Sequence, residues 1–233
     1  MSKVKEIADL INQGKNIVFM TGAGVSTPSG IPDYRGMDGL YTKSGFKQPE
    51  YLLSKRALLN DTDDFYAFIR QLYRTDSLPN TIHTKMAELE KSKNVTVITQ
   101  NIDGLHSQAG SQNVIEFHGT LATCHCEKCK QNLGEQHFSE SYIHDECGGF
   151  IRPDVVLYDE PIYYLNVDNA AETLANADTV IIVGTSFKVR PFCDLIQYAN
   201  RNAKILTINK EPVDVAGLTA EYLGDALDIF RIL

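Results

Sequence analysis

The sequence is short of positive charge. Its 22 Lys and Arg stand against 30 Asp and Glu, a formal net charge of −8 over 233 residues. A surface that grips nucleic acid needs a basic stripe, so no direct nucleic-acid partner is expected. A basic peptide remains a suitable partner, because opposite charge steers association. Long apolar runs are also missing. None approaches the roughly 20 residues of a membrane span, and no membrane partner is expected. The first residues, MSKVKEIADLINQG, lack the apolar block and small-residue cleavage site of a secretion signal. They read instead as an amphipathic helix with Val4, Ile7, Ala8 and Ile11 on one face. Internal repeats and low-complexity tracts are absent as well. The expectation is a cytoplasmic protein, taken as a monomer. Its five cysteines would then stay reduced, and clustering among them points to metal rather than disulfides.

What is present is a rhythm of short Val- and Ile-rich runs: NIVFM (16–20), VTVIT (95–99), VIEF (114–117), DVVLY (154–158), TVIIVG (179–184) and KILTI (204–208). Such runs suit strands buried on both faces of a parallel sheet. Helical patterns alternate with them. Residues 79–93 place Ile82, Met86 and Leu89 on one face, 164–177 follow, and 191–202 begin with Pro191, suited to a first helical turn. The expected fold is α/β, a doubly wound, Rossmann-like parallel sheet. Two segments break the alternation. Residues 36–78 are polar with short helical patches, and residues 120–150 carry four of the five cysteines. We therefore expect a large dinucleotide-type domain from 1–35, 79–119 and 151–233. A smaller inserted zinc-binding and helical domain would come from 36–78 and 120–150.

Three polar clusters follow strands. After NIVFM comes TGAGVSTPSGIPDYRG (21–36). Gly22 and Gly24 allow a tight turn and close approach of backbone N–H groups to a pyrophosphate. Gly30 comes too late for G-x-G-x-x-G, and no strand-ending acid follows about 20 residues on, as a nicotinamide dehydrogenase would want. A plain turn would use the same glycines, but Asp33, Tyr34 and Arg35 make a dense polar set for a connector, and Arg35 suits phosphate. After VTVIT comes TQNIDGLH (99–106). Ligands of open α/β sheets bind beyond the C-terminal strand ends, so Gln100, Asn101 and Asp103 would share the glycine loop's crevice; a bare Asn/Asp-Gly turn is the simpler alternative. After VIEF, His118 projects to the same edge and is the natural general base among these groups. His83 and His106 read as packing residues nearby.

The cysteines supply a fourth cluster. Cys126-x-x-Cys129, then fourteen residues, then His144-x-x-Cys147 has the spacing of two zinc knuckles. A complete shell of four ligands leaves no place for water, which makes the zinc structural. Cys124, His125 and the more distant His137 stay open as substitutes for a member of the set. Cys193 reads as a small core residue.

Taken in order, GAGVSTPSGIPDYRG, TQNIDGLH, FHG, the cysteine module, CGGFIRPDVVLYDE, GTSFKVRP and INKEP resemble the sirtuins, the NAD-dependent protein lysine deacylases, in their short bacterial form. The resemblance spans nearly the whole chain. It implies that NAD is consumed as co-substrate. Gly22, Ala23, Gly24, Ser26, Ile31, Asp33, Tyr34 and Arg35 would line its site. Gly184, Thr185 and Ser186 would contact the dinucleotide at the next crevice. Asn209, Lys210 and Glu211 would hold the adenosine ribose, with Ala226 near adenine. Gln100, Asn101, Ile102 and Asp103 would shape the nicotinamide pocket, and His118, Asn101 and Asp103 would be catalytic. In the implied reaction the acyl-lysine oxygen attacks the ribose carbon as nicotinamide leaves. His118 then takes a proton from a ribose hydroxyl, and the acyl group passes to ADP-ribose. The substrate would lie as an added strand on Val155, Val156, Leu157 and Tyr158. The metal would be one structural Zn²⁺ on Cys126, Cys129, His144 and Cys147.

Four departures from the family pattern stand out. His144 replaces a cysteine, Tyr34 a phenylalanine and Asp159 a glycine. The acidic-acyl pair Tyr-x-x-Arg is broken, since Tyr66 is followed by Ile69 with Arg70 one place late. Plain acetyl groups are therefore favoured over succinyl or malonyl. A mono-ADP-ribosyltransferase and a non-enzymatic NAD or ADP-ribose sensor are the alternatives.

Overall fold

The structure is a computed structural model that describes residues 2–32, 49–72, 76–134 and 141–233. Helix α1 (Lys3–Gln13) is capped by Ser2, whose hydroxyl accepts from the Lys5 N–H. It buries Ile7, Ala8 and Ile11, with Val4 packed beside them. Strand β1 (Asn16–Thr21) follows, then two 3-10 turns, Ala23–Val25 and Thr27–Ser29. Helices α2 (Pro49–Leu52), α3 (Lys55–Asn60) and α4 (Thr62–Leu72) come next, then α5 (Thr81–Leu89), β2 (Asn94–Thr99), α6 (Leu105–Gln108) and β3 (Val114–Glu116). Strands β4 (Gly119–Cys126), β5 (Asn132–Gly134) and β6 (Ile151–Val155) lead to helix α7 (Tyr164–Asn176) and strand β7 (Thr179–Val183). The chain ends with a 3-10 helix (Phe192–Tyr198), β8 (Lys204–Asn209), β9 (Leu218–Leu223) and α8 (Ala226–Phe230).

The expected doubly wound sheet is present. Six parallel strands lie in the order β3-β2-β1-β7-β8-β9, so the winding reverses between β1 and β7. Strand residues alternate between two cores, as the pleat requires. Ile17, Phe19, Val95, Val97, Ile181, Val183, Leu206 and Ile208 face α1, α5 and α8. Val18, Met20, Ile98, Val180, Ile182 and Ile205 face α7 and the 3-10 helix. Burial on both sides is why these strands read as unbroken apolar runs.

A separate antiparallel sheet has the order β5-β4-β6. A third core joins it to the helices before it: Ala57, Leu58, Phe65, Tyr66 and Ile69 pack with Leu121, Cys124, Ile151, Val155 and Leu157. Within segment 36–78, the described residues 49–72 thus hide more apolar surface than the segment's polar composition suggests.

Several expectations need correcting. DVVLY is not a strand of the parallel sheet. Strand β6 runs from Ile151 to Val155 and pairs antiparallel with β4 in the small sheet. Pro191 caps a 3-10 helix rather than opening an α-helix. Strand β9 and helix α8 were not anticipated, because LTAEYL alternates weakly and is half exposed. No helix among the described residues is long and apolar enough to cross a membrane.

Candidate active site

In a parallel sheet all strands end on one edge, and here that edge is level. A single line of paired residues runs Glu116, Thr99, Thr21, Val183, Ile208, Tyr222. Just beyond it the chain turns at Phe117–His118, Gln100–Asp103, Gly22–Ser26, Gly184–Ser186, Asn209–Glu211 and Leu223–Ala226. The Gly22 loop, His118, Asn101, Asp103 and the Asn209 turn therefore share one rim. Asp33, Tyr34 and Arg35 lie outside the described residues. Ile31, at the near end of that segment, donates its N–H to the Ser26 carbonyl at 3.3 Å.

The two glycine loops meet at the winding reversal. The Gly24 N–H donates to the Gly184 carbonyl at 2.8 Å. A Cβ on Gly24 would lie 2.7 Å from Gly184 Cα, and one on Gly184 would lie 2.6 Å from the Val25 nitrogen. These glycines are required by contact between loops, not only by a ligand, and the Gly24 N–H is already committed. The Ala23 N–H, at the start of a 3-10 turn, meets no acceptor among the described residues. On the far side, Asn209 accepts the Thr185 N–H at 2.8 Å and fixes the second loop to β8. Ser186, Lys210 and Glu211 are exposed, while Ala226 opens α8 behind its cap Asp225.

Beneath the first loop runs a polar chain whose direction can be deduced. The Asn80 backbone N–H donates to His83 Nδ1 at 3.2 Å, so in neutral His83 the proton sits on Nε2, which faces Ser26 Oγ at 3.5 Å. Asn101 Nδ2 also donates to Ser26 Oγ, at 3.0 Å, and to the Gly22 carbonyl at 3.2 Å. Ser26 then donates to Asp103 Oδ2 at 2.7 Å, while Asp103 Oδ1 accepts the Leu105 N–H at 3.0 Å. Burial pushes the Asp103 carboxyl up from its usual range, against these hydrogen bonds. Burial also drives His83 down to about 4, and His106, whose Nε2 lies 3.1 Å from Thr21 Oγ1, well below the usual imidazole value.

His118 is held the other way round. Its Nδ1 lies 3.2 Å from the Gln100 carbonyl, which can only accept. Neutral His118 therefore carries its proton on Nδ1 and presents a lone pair at Nε2. Burial lowers its pKa, with the Gln100 carbonyl opposing, so the neutral base predominates at pH 7. The Gln100 N–H in turn donates to the Thr21 carbonyl at 3.0 Å, tying the histidine to the end of β1.

The sequence pattern reads His83 and His106 as packing residues and does not single out Asn80. The structure puts all three under the glycine loop, where Asn80 also donates to the Val25 carbonyl and Ser29 Oγ, each at 2.8 Å. The available signal was Asn80 and His83 as a cap and its third-position partner at the start of α5.

The segment Val155–Tyr158 offers little open backbone. The Val156 N–H donates to the His118 carbonyl at 2.9 Å, and the Tyr158 N–H and carbonyl pair with Leu53 and Lys55 at 2.9 and 3.0 Å. Asp159 has φ +71°, the left-handed region that favours glycine, and its carboxylate takes the Arg56 Nε–H at 2.9 Å. Tyr66 and Ile69 are fully buried, with the Tyr66 hydroxyl donating to the Ile151 carbonyl at 2.8 Å; Arg70 is exposed.

On the small sheet, the ligand atoms of Cys126, Cys129, His144 and Cys147 all lie within 4.8 Å of one another. Cys126 and Cys147 Sγ are 3.4 Å apart, and His144 Nδ1 is 3.4 Å from Cys129 Sγ and 3.3 Å from Cys147 Sγ. A zinc tetrahedron with bonds of about 2.0–2.3 Å has edges of roughly 3.5–3.8 Å, so this donor set fits zinc, with Nδ1 as the imidazole ligand. Burial raises the Cys126 thiol, but hydrogen bonds from the Cys129 and Lys128 backbones bring it down to about 6, toward the thiolate a metal needs. Cys124 is buried and donates to the Gly134 carbonyl, and His125 Nδ1 contacts Asp154 Oδ1 at 2.5 Å; both have other partners. His137 lies outside the described residues.

Comparison with known proteins finds relatives over nearly the whole chain. The family model described as "Sir2 family" matches residues 22–191. A Listeria innocua protein named NAD-dependent protein deacetylase is 48% identical over 228 residues, covering 97% of this chain and 99% of its own. A protein of the same name from Lactiplantibacillus plantarum is 44% identical over 232 residues, with 99% and 98% covered. A solved Sir2 homologue in complex with NAD superposes with TM-score 0.85 at 30% identity, covering 98% of this chain and 91% of its own. A Sir2 structure with p53 peptide and NAD⁺ also gives TM-score 0.85 at 30% identity, with 99% and 97% covered.

Proposed function

The chain belongs to the Sir2 family and is an NAD-dependent protein deacetylase, and we propose that its reaction runs on the level rim of the parallel sheet with His118 as general base. The substrate is an acetylated lysine. The observation that carries this reading is the bond from His118 Nδ1 to the Gln100 carbonyl, which leaves Nε2 free to accept a proton beside the glycine loop.

NAD supplies an electrophilic ribose carbon with nicotinamide as its leaving group. The chain's own residues do the rest. Gly22, Ala23, Gly24, Gly184, Thr185 and Ser186 bring backbone to the dinucleotide, with Ile31 at the mouth of the loop. Asn209, Lys210, Glu211 and Ala226 take its adenosine end. The chemistry of the rim suits such a ligand: the buried Gln100 Nε2 has no acceptor among the described residues, and a nucleotide is rich in acceptor oxygens. Ser26, Asn101 and Asp103 form a chain of fixed dipoles that orients the ribose and carboxamide, as preorganised sites do. Gln100 and Ile102 border the same pocket. His118 Nε2 accepts a ribose hydroxyl proton, help typically worth about 10²–10⁴ in rate. Cys126, Cys129, His144 and Cys147 would hold one zinc with a full shell, so the metal supports the fold and takes no part in the chemistry.

The acyl group is read as acetyl, because Tyr66 is tied to a backbone carbonyl and Ile69 occupies the place a second charged partner would need. The peptide is read as running along the Val155–Tyr158 segment toward Asp159. We further read the protein as a cytoplasmic monomer that does not bind nucleic acid; its disulfide-free cysteines and its acidity support this, and sedimentation tests the monomer.

Incubation with NAD and an acetyl-lysine peptide, followed by mass spectrometry, tests the proposal. Loss of acetyl from the peptide and acetyl gain on ADP-ribose are expected, with turnover falling about 10²–10⁴-fold in His118→Ala while melting is unchanged. ADP-ribose added to protein with the acetyl group intact, or full turnover in the variant, would overturn it.

A further inference from the structure

The segment after β6 runs from Val155 to Glu160 and carries the proposed peptide contact. Backbone bonds to His118, Leu53 and Lys55 hold one side of it, and side chains hold its last turn. At its centre is Arg152, whose side chain is 11% exposed. Arg152 Nη1 donates to Glu160 Oε1 at 2.9 Å and to Glu127 Oε1 at 3.1 Å. Its Nη2 donates to the Val155 carbonyl at 3.1 Å and to Glu160 Oε2. Glu160 Oε2 accepts the Leu157 N–H at 3.2 Å, and the Glu160 N–H returns to the Leu157 carbonyl at 3.1 Å. The turn is thus closed on itself through one carboxylate, which one guanidinium fixes.

Glu127 brings in a second region. It sits between Cys126 and Cys129 in the first knuckle, and its N–H donates to the Phe150 carbonyl at 2.8 Å. A single planar fork therefore spans the knuckle, strand β6 and the peptide turn. Two residues before that turn's bonds to Leu53 and Lys55, the Val156 N–H meets the His118 carbonyl.

We infer that Arg152 is a positioning residue, which, braced by Glu127 on the cysteine knuckle, sets the Leu157–Glu160 turn for the acetyl-lysine peptide. The inference rests on the deacetylase reading of the site. It assigns a task to the knuckle besides metal binding: its spacer residue steadies the substrate turn. Lysine could not replace Arg152, because an ammonium lacks the fixed fork that meets two carboxylates and a carbonyl together.

Glu127→Ala, Arg152→Lys and the control Lys130→Ala test it, each checked for unchanged zinc content. The Lys130 side chain meets Glu127 at its other oxygen, Oε2, at 2.6 Å, and its backbone N–H bond to the Cys126 carbonyl does not involve the side chain. In the first two variants the KM for an acetyl-lysine peptide should rise about fivefold, the worth of roughly one partly exposed charged hydrogen bond, with the KM for NAD unchanged. Backbone hydrogen exchange at Leu157 and Glu160 should quicken in both, and not in Lys130→Ala. Glu127→Gln, whose amide oxygen still accepts from Arg152, should restore both readouts. Unchanged exchange in both variants, or a parallel rise in both KM values, overturns the inference. Loss of all deacetylation in the wild type would defeat the proposed function alone, because the exchange measurement judges the relay without turnover.

Discussion

The rim of the parallel sheet and the cysteine knuckles are built on opposite terms. At the rim a chain of protein groups holds itself in place: Asn101 and His83 face Ser26, Ser26 donates to Asp103, and Gly24 bonds Gly184. Two hydrophobic cores hold the strands that carry them. The knuckles hang from a three-stranded sheet whose outer strand, β5, has three residues. Their four donor atoms converge on a point, and such donors gather stably around a cation. The fold preorganises the rim, whereas metal chemistry organises the module. Damage to either should be separable.

The largest difference should appear on metal removal. Structural zinc in small modules contributes on the order of 10 kcal/mol. Cys126→Ala and strong chelation should each abolish the roughly one zinc per chain and unfold the small sheet, while the parallel sheet keeps its exchange-protected core. Cys124→Ala, two residues away but bonded to a carbonyl, should keep its zinc. Metal analysis with local hydrogen exchange checks both. An intact small sheet after verified zinc loss would break the contrast.

The reverse perturbation is Gly24→Ala. Its new methyl would meet Gly184 backbone at 2.7–2.8 Å, not a flexible side chain. Overpacking of this kind costs about 1–3 kcal/mol, roughly 3–10 °C of melting temperature at this chain length. Zinc content should stay unchanged. Equal melting curves for variant and parent would show that the two loops have room to part.

The same contrast explains what could be read from sequence. Strands buried on both faces announce themselves as apolar runs, and the loops at their ends carry the glycines, Asn101, Asp103 and His118. The knuckles were legible because ligand type and spacing follow from coordination chemistry. The displaced β6 was not, since Ile151–Val155 alternates buried and half-buried residues and its partner β4 lies 25 or more residues earlier in the register, as in Cys126 with Ile151. Arg152 and Glu127 look like ordinary surface charges in a sequence, and only the fold shows them meeting. The Gly24 contact with the second loop was not legible either: its N–H bonds the Gly184 carbonyl, so the glycine serves the loop junction as well as the crevice.

Acid should loosen the rim before the knuckles are considered. His83, His106 and His118 have folded pKa values below the unfolded value of about 6.5. The unfolded chain therefore binds more protons, and stability is complete above pH 6.5 and lost as pH falls toward the folded values. For His83, taken down to about 4, the full loss is roughly 3 kcal/mol. Asp103 and Glu116, raised by burial, act in the opposite sense and gain stability as they protonate. The net loss should be smaller, and His83→Gln should flatten the dependence in urea melts between pH 4 and 7. In kinetics, the acid limb of kcat/KM should fall below pH 6.5, since the neutral form of His118 persists there. An acid limb above that value would contradict the buried base.

The smallest effect is expected at Asp159, on the turn between the two regions. Its left-handed backbone costs a non-glycine residue about 1 kcal/mol, which glycine would relieve. Glycine also adds roughly 0.5–1 kcal/mol of chain entropy to the unfolded state. The ion pair with Arg56 is exposed on both sides, 69% and 45%, and such pairs are worth about 0–1 kcal/mol. These three effects nearly cancel, so Asp159→Gly should move the melting temperature by less than about 3 °C. What it does remove is a negative charge beside the proposed peptide segment. Acetyl peptides with Arg beside the lysine should lose some of their advantage over those with Glu, while zinc content and NAD affinity stay level. A large drop in melting temperature would instead make Asp159 a structural brace. The turn would then depend on its own side chains, as the rim does, rather than on the arginine that links it to the metal module.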